Sequence, residues 1–325
     1  MGFLQKLLHY QDIRIQCHNN PDPDTIASAF GIYLYLKSHN RNARIIYGGT
    51  QEIEKANLKL MVRKCGIHLE YTHNIPKPEL LLLVDCQYAQ GNVEKFDAEN
   101  IMMIDHHISA AGRKEGCLID SSYQSCSTII WNLLLEDKFP VKEYPELIVA
   151  LLYGLYTDTA SFADLYNHND LVMKEQLYDK QPLFEQLIKS SMSLAEFMIA
   201  TDALHNHYFD IERRFAIINA LKCDQSVLGI IGDFIIQVDL VLLSFAYTEN
   251  DISYQISIRS CHPDIPANTI AEYICNEIGS GGGHANKSGG RILKEKMYEK
   301  YRHDNIFDFA NELICRYIDE NNIAF

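Results

Sequence analysis

Residues 103–107 read Met-Ile-Asp-His-His at the end of an apolar run, and one carboxylate with two imidazoles in that place is a set of metal-binding and proton-transfer groups. Three further apolar runs end in a similar way. Ile13 to Cys17 leads into His18-Asn19-Asn20-Pro21-Asp22-Pro23-Asp24, Leu80 to Val84 leads into Asp85, and Leu151 to Tyr156 leads into Thr157-Asp158-Thr159. Each is weak alone: Pro-Asp-Pro-Asp is an ordinary turn sequence, and Asp158 would serve equally as a helix cap. Together they supply what a paired divalent-metal site needs, about four or more carboxylates and a few imidazoles around two cations roughly 4 Å apart. Oxygen and imidazole donors without thiolate favour Mn²⁺ or Mg²⁺ over structural zinc. Two Mn²⁺ per chain are expected, with Mg²⁺ as the alternative.

These groups need a scaffold that gathers strand ends. From residue 1 to about 190, short apolar runs alternate with helical stretches, the pattern of a parallel sheet with helices on both faces. An amphipathic helix is expected from about Thr25 to Leu36. Residues 191–212 read as a helical connector, and a smaller α/β domain with a mixed sheet begins near 213. There Phe215-Ala216-Ile217-Ile218 and Val227 to Gly232 read as strands, and Ser253 to Arg259 alternates polar and apolar residues as a half-buried strand does. The expected organisation is therefore 1–190 catalytic, 191–212 connector and 213–325 substrate-binding.

One low-complexity stretch stands out. Gly279 to Arg291 holds six of the chain's 17 glycines together with His284, Lys287 and Arg291. Glycine permits positive φ and close approach of backbone amides to a ligand oxygen, so a phosphate cradle is expected rather than a linker.

The ordered motifs resemble those of the DHH-family phosphoesterases. His18 to Asp24 resembles the first motif, Val84-Asp85 the second, Asp105-His106-His107 the third, and Tyr156-Thr157-Asp158-Thr159 the fourth. Gly281-Gly282-Gly283-His284-Ala285 resembles the signature of the DHH-associated C-terminal domain, and Ser257-Ile258-Arg259-Ser260 its substrate-binding strand. The resemblance implies that His18, Asp22 and Asp85 hold one metal and Asp24, Asp85, His106 and Asp158 the other, with Asp85 bridging and Asp158 a second candidate for that role. It implies hydrolysis by metal-activated water, with His107 beside the phosphoryl group or leaving oxygen and Asp105 orienting a neighbour. Arg259, Ser260, Gly282, Gly283 and His284 are implied as substrate contacts in a cleft between the domains. Where nucleotide-cleaving relatives carry Gly-Arg-Phe after the fourth motif, this chain has Ala160-Ser161-Phe162.

Within the family, size and plan look most like the nano-RNases, which shorten very short oligonucleotides and dephosphorylate 3′-phosphoadenosine 5′-phosphate. The alternatives are a phosphodiesterase for cyclic di-AMP or linear dinucleotides and, from another class, an inactive nucleotide-binding regulatory module. The complete ligand set favours an enzyme.

Composition narrows the partners. With 43 acidic against 29 basic residues and a formal charge of −14, the chain lacks the basic surface that gives polymer affinity, so short oligonucleotides or small phosphorylated nucleotides are expected rather than long nucleic acid. No stretch approaches the ~18 apolar residues of a membrane span, and no basic-then-apolar leader opens the chain, so a cytoplasmic protein without membrane partners is expected. Nine cysteines without a Cys-x-x-Cys pair read as small buried hydrophobes in a reducing compartment. Oligomeric state is left open, a homodimer being the candidate assembly.

Overall fold

The computed structural model describes residues 2–88, 90–107, 116–179, 181–190 and 192–323. Contacts divide the chain into two units, Met1–Met192 and Ser193–Phe325. In the first, short apolar strands alternate with helices: α1 (Phe3–Leu7), β1 (Asp12–Gln16), α2 (Pro23–Ser38), β2 (Asn42–Tyr47), α3 (Ala56–Cys65), β3 (Leu69–Tyr71), β4 (Leu80–Val84), β5 (Asn100–Asp105), β6 (Cys117–Ile119), α4 (Cys126–Glu136), α5 (Pro145–Asp158), α6 (His168–Leu177) and α7 (Pro182–Lys189). The six strands pair in parallel in the order β3-β2-β1-β4-β5-β6. Strand order reverses between β1 and β4. At such a switch point the loops leaving the strand ends diverge and open a crevice, where ligands of open α/β sheets bind.

Every residue of β4 is buried, as a central strand of a covered parallel sheet must be. Ile13, Ile15, Leu80, Leu82 and Val84 face a core shared with the helices. Helix α2 packs between the sheet and helices α4 and α5 and is buried on nearly all sides, so the amphipathic face expected for it is absent. On the opposite sheet face the irregular β4–β5 connection places Val93 and Phe96 against Ile46, Leu81 and Leu83.

The second unit contains α8 (Leu194–His205), β7 (His207–Asp210), β8 (Phe215–Ala220), α9 (Gln225–Ile235), β9 (Leu243–Glu249), β10 (Ser253–Ser260), α10 (Ala267–Cys275), β11 (Gly279–Gly283), β12 (Lys287–Leu293), α11 (Lys294–Tyr301) and α12 (Ile306–Glu320). Its sheet is mixed, in the order β11-β12-β10-β9-β8-β7, with β8 and β9 parallel and the other neighbours antiparallel. The stretch read as a connector, 191–212, holds α8 and the edge strand β7; Ser191 lies outside the described residues. Val227 to Gly232 is helix, not strand. Asp224 accepts the amide hydrogens of Ser226 and Val227 and so starts α9, a capping signal that an apolar run conceals. Among the described residues no helix is long and apolar enough to cross a membrane.

Candidate metal centre and anion pocket

The ends of β1, β4 and β5 and the termini of three helices converge on one cluster in the first unit. Past β1 stands His18. Asp22 caps α2, its Oδ1 accepting the Thr25 amide at 3.1 Å while Oδ2 faces His18 Nε2 at 3.6 Å. Thr25 Oγ1 donates to the Val84 carbonyl at 3.0 Å and ties this helix start to the end of β4. There Asp85 takes a left-handed φ of 58°, a conformation more accessible to Asp than to most residues, which turns the chain at the strand end. Its Oδ2 lies 3.8 Å from His18 Nε2 and its Oδ1 3.3 Å from His106 Nε2. His106 Nε2 also faces Asp158 at 3.4 Å and Asp24 at 4.0 Å.

Two donor groups result, His18 with Asp22 and Asp85, and Asp24 with His106 and Asp158, and a third, Asp85 with His106 and His107, joins them through the short Asp85–His106 approach. Asp158 reaches this place from the last turn of α5, not from a strand. Asp24 is wholly buried in the first turn of α2, where it accepts the Cys126 and Ser127 amides at 2.7 and 2.8 Å at the start of α4. Gly154 makes room for it: a Cβ there would meet Ser127 Oγ and come within 2.9 Å of Asp24 Oδ1.

Burial and mutual charge perturb every member of the cluster that shifts. Burial, with Asp24 next, pushes both Asp85 and Asp158 well above the ordinary carboxylate range. Burial also works upward on Asp22, but the hydrogen bond and charge of His18 outweigh it and leave that carboxyl at about 2. For His106 burial works downward, and Asp158 and Asp85 outweigh it, raising the imidazole to about 12. Asp85 Oδ1 and His106 Nε2 are both buried without a hydrogen-bond partner, although burying such atoms unsatisfied costs on the order of 1–3 kcal/mol each. His106 Nδ1 donates to the Tyr123 carbonyl at 3.3 Å, which leaves Nε2 directed at the carboxylates. Orphaned donors of this chemistry fit divalent metal ions.

His107 lies at the exposed edge of this set. Its Nδ1 donates to Asp105 Oδ1 at 2.8 Å, against 3.7 Å to Asp85, and Gln87 Nε2 holds the other Asp105 oxygen at 2.7 Å. The ring is half exposed, and Asp105 lies below the usual carboxylate range: burial works upward, but the bonds from His107 and Gln87 outweigh it.

The second unit carries its own depression of about 680 Å³, lined by Ser257 and Arg259 of β10, Lys287, Gly289 and Arg291 of β12, and Ser280 and Gly282 of β11, with Gln225 of α9. Register explains this composition: Arg259 opposes Lys287, Ser257 opposes Gly289, and Gly289 opposes Gly282, so alternate residues of three strands form one face. Three cations rise from a floor in which two positions lack side chains. Arg259 is fixed by Asp233 at 2.6 Å and by Ser257 at 2.9 Å. Gly283 joins this lining, whereas Ser260 points to the opposite face, its hydroxyl bonded to the Leu242 and His262 carbonyls. His284 is exposed in the β11–β12 turn, outside the lining. The glycine cluster is thus a strand pair and not a cradle of positive-φ turns: of its glycines only Gly283 has positive φ, at 146°.

Sequence reasoning missed Gly154, Gln87 and Tyr123, since a carbonyl or a missing Cβ leaves no chemical signature in the chain.

Residues 12–155 match the model of the DHH family, N-terminal domain. An uncharacterized protein of Methanocaldococcus jannaschii is 22% identical over 282 residues, covering 86% of this chain, which spans only 57% of that relative's length. Among solved structures, an exopolyphosphatase-related protein from Bacteroides fragilis is similar with a TM-score of 0.77 at 19% identity, over 99% of this chain and 98% of its own, a likeness of fold. Three ligand-bearing stretches stand at the ends of parallel strands and a fourth at the end of α5, and over residues 12–155 the chain is similar to the N-terminal domain of the DHH family.

Proposed function

We propose that the protein is a two-metal phosphoesterase that hydrolyses short oligonucleotides or small nucleotide phosphates such as 3′-phosphoadenosine 5′-phosphate. The observation that carries the reading is Asp85, a buried carboxylate shared by two donor groups, with one oxygen toward His18 and the other, unsatisfied, toward His106. His18, Asp22 and Asp85 would hold one Mn²⁺, and Asp24, Asp85, His106 and Asp158 the other. Bound there, such cations supply a nucleophile from water at neutral pH and offset charge on the phosphoryl group.

The chain's own residues do the rest. His107, with Nδ1 given to Asp105, presents Nε2 outward and is oriented to pass a proton to a leaving oxygen; Gln87 keeps Asp105 in that service. Arg259, Lys287 and Arg291 recognise phosphate groups in the second unit, Arg259 with its guanidinium already immobilised by Asp233. The formal charge of −14 supports a short substrate, since a long polyanion gains little from such a surface.

A panel with Mn²⁺ tests the reading: 3′-phosphoadenosine 5′-phosphate, RNA and DNA of two to about twenty residues, linear and cyclic di-AMP, and pyrophosphate. Turnover should be fastest on the shortest oligonucleotides or on the bisphosphate and should depend only shallowly on salt. Faster cleavage of the long oligonucleotides, or no hydrolysis of any member, would overturn it.

A further inference from the structure

Asp170 is fully buried in the first turn of α6, and nothing in the chemistry above uses it. Its charge is felt by Asp24 and His106 of the donor cluster. Its Oδ2 accepts the Gln124 amide hydrogen at 2.9 Å, the Thr128 hydroxyl stands beside the carboxyl, and burial outweighs both and raises it above the ordinary carboxylate range. The carbonyl on the other side of that same peptide unit belongs to Tyr123, and it accepts the His106 Nδ1 hydrogen at 3.3 Å. One peptide group therefore joins a buried carboxylate to the imidazole whose Nε2 faces Asp24, Asp85 and Asp158. Because the peptide is conjugated, a negative charge on its N–H side increases electron density on its carbonyl oxygen, and a more basic carbonyl holds the imidazole N–H more firmly. Metal-ligating histidines are commonly fixed in this way by a carboxylate or a carbonyl; here the two would act in series.

The surroundings hold the peptide still. Gln124 Oε1 accepts the Tyr166 and Asn167 amides at 2.7 and 2.8 Å, its Nε2 donates to the Asp164 carbonyl at 2.7 Å, and Asn167 Nδ2 donates to the Ser122 carbonyl at 2.6 Å. These bonds clamp the loop before α4 to the start of α6. They explain the loop's position but not a buried carboxyl, because a neutral amide would complete the same clamp.

We propose that Asp170 is a positioning residue for the metal centre, acting through the Tyr123–Gln124 peptide to fix the tautomer and raise the basicity of His106. The inference rests on the reading of His106 as a metal ligand. It assigns Asp170 to one donor group only, since His18, Asp22 and Asp85 share no hydrogen bond with this loop among the described residues.

The test is Mn²⁺ titration by calorimetry of the metal-free full-length chain, wild type against Asp170→Asn and Asn167→Ala. Asparagine keeps the acceptor for the Gln124 amide and removes the charge; alanine at 167 removes the α6 cap and the bond to Ser122 but leaves Asp170 in place. Asp170→Asn should weaken one Mn²⁺ binding step by about 10–100-fold and leave the other within about twofold. In the Mg²⁺-loaded protein it should also move the His106 Nδ1 proton resonance upfield, which a loss of packing alone does not do. Asn167→Ala should lower the melting temperature yet keep both Mn²⁺ affinities. The relay is overturned if folded Asp170→Asn binds Mn²⁺ as wild type does, if its Nδ1 resonance is unmoved, or if Asn167→Ala loses the same affinity. Failure of the wild-type chain to bind Mn²⁺ would remove the ligand reading, and the relay with it.

Discussion

Replacing Asp85 by asparagine should make the metal-free protein more stable and the metal-loaded protein inactive. Asp85 is 2% exposed, one of its oxygens has no hydrogen bond, and burial together with Asp24 raises its carboxyl well above the usual range. A group whose folded pKa is raised favours the protonated form, and its stabilising contribution is lost as pH rises through that value. Near neutral pH a neutral isostere removes this cost, which for one buried unsatisfied polar group is about 1–3 kcal/mol. Asparagine also accepts the left-handed φ of 58°, whereas alanine there adds roughly 1–2 kcal/mol of strain. For a unit of this size the gain corresponds to a rise of about 2–10 °C in Tm. Excess Mn²⁺ at a hundred times Kd stabilises the wild type by ~2.7 kcal/mol, and the variant should lose most of that increment. Thermal melts in EDTA and in Mn²⁺ should therefore cross: the variant melts higher without metal and lower with it. A variant that melts below wild type in EDTA, or that keeps hydrolysis within about tenfold at matched metal content, would refute the argument.

Binding of Mn²⁺ should release protons, with affinity rising as pH rises. In the metal-free protein Asp85 and Asp158 lie above 3.8, His18 lies above 6.5, and His106 is raised from 6.5 to about 12. The folded chain therefore holds protons that the unfolded chain has lost, so metal-free stability falls as pH climbs; Asp22 acts oppositely, losing its contribution as pH drops from 3.8 to about 2. Calorimetry in buffers of different ionisation enthalpy measures the release, and a value of zero would contradict the assignment. Gly154→Ala should lower Mn²⁺ affinity by displacing Asp24, which a Cβ would approach to 2.9 Å at Oδ1; unchanged binding in a folded variant would show that the site tolerates the shift. In the second unit, Arg259→Ala should cut kcat/KM by ~10²-fold with Mn²⁺ content unchanged, while Ser260→Ala, whose hydroxyl serves the Leu242 and His262 carbonyls, should leave kinetics within about twofold. The reverse ranking would move the substrate to the other face of β10.

The donor residues were legible because each stands within a few positions of an apolar run, and parallel strands must end on one side of their sheet. That logic reached Asp85 and His106 directly. It misjudged the route to Asp158, whose apolar run is helix: buried helix and buried strand read alike over six residues, and Val227 to Gly232 failed for the same reason. In β10 the alternation of Ser253 to Arg259 was clear, yet Ser260 falls on the face opposite Arg259, since a one-residue step reverses direction in a strand. The glycines were visible, but their need arises from close packing, as at Gly281 and Gly290 against Cys275 Sγ, which only the folded chain displays. Asp170 and the Tyr123 carbonyl act through contacts far apart in sequence and carry no local pattern.

Two cations sharing Asp85 are the core of the proposed site. Electron paramagnetic resonance during Mn²⁺ titration of the metal-free full-length chain tests the sharing most directly, because two Mn²⁺ ions joined by a carboxylate are exchange-coupled and isolated ions are not. Two bound Mn²⁺ per chain are expected, with a coupled signal that Asp85→Asn abolishes. A single bound ion, or two ions with independent six-line spectra, would contradict the sharing.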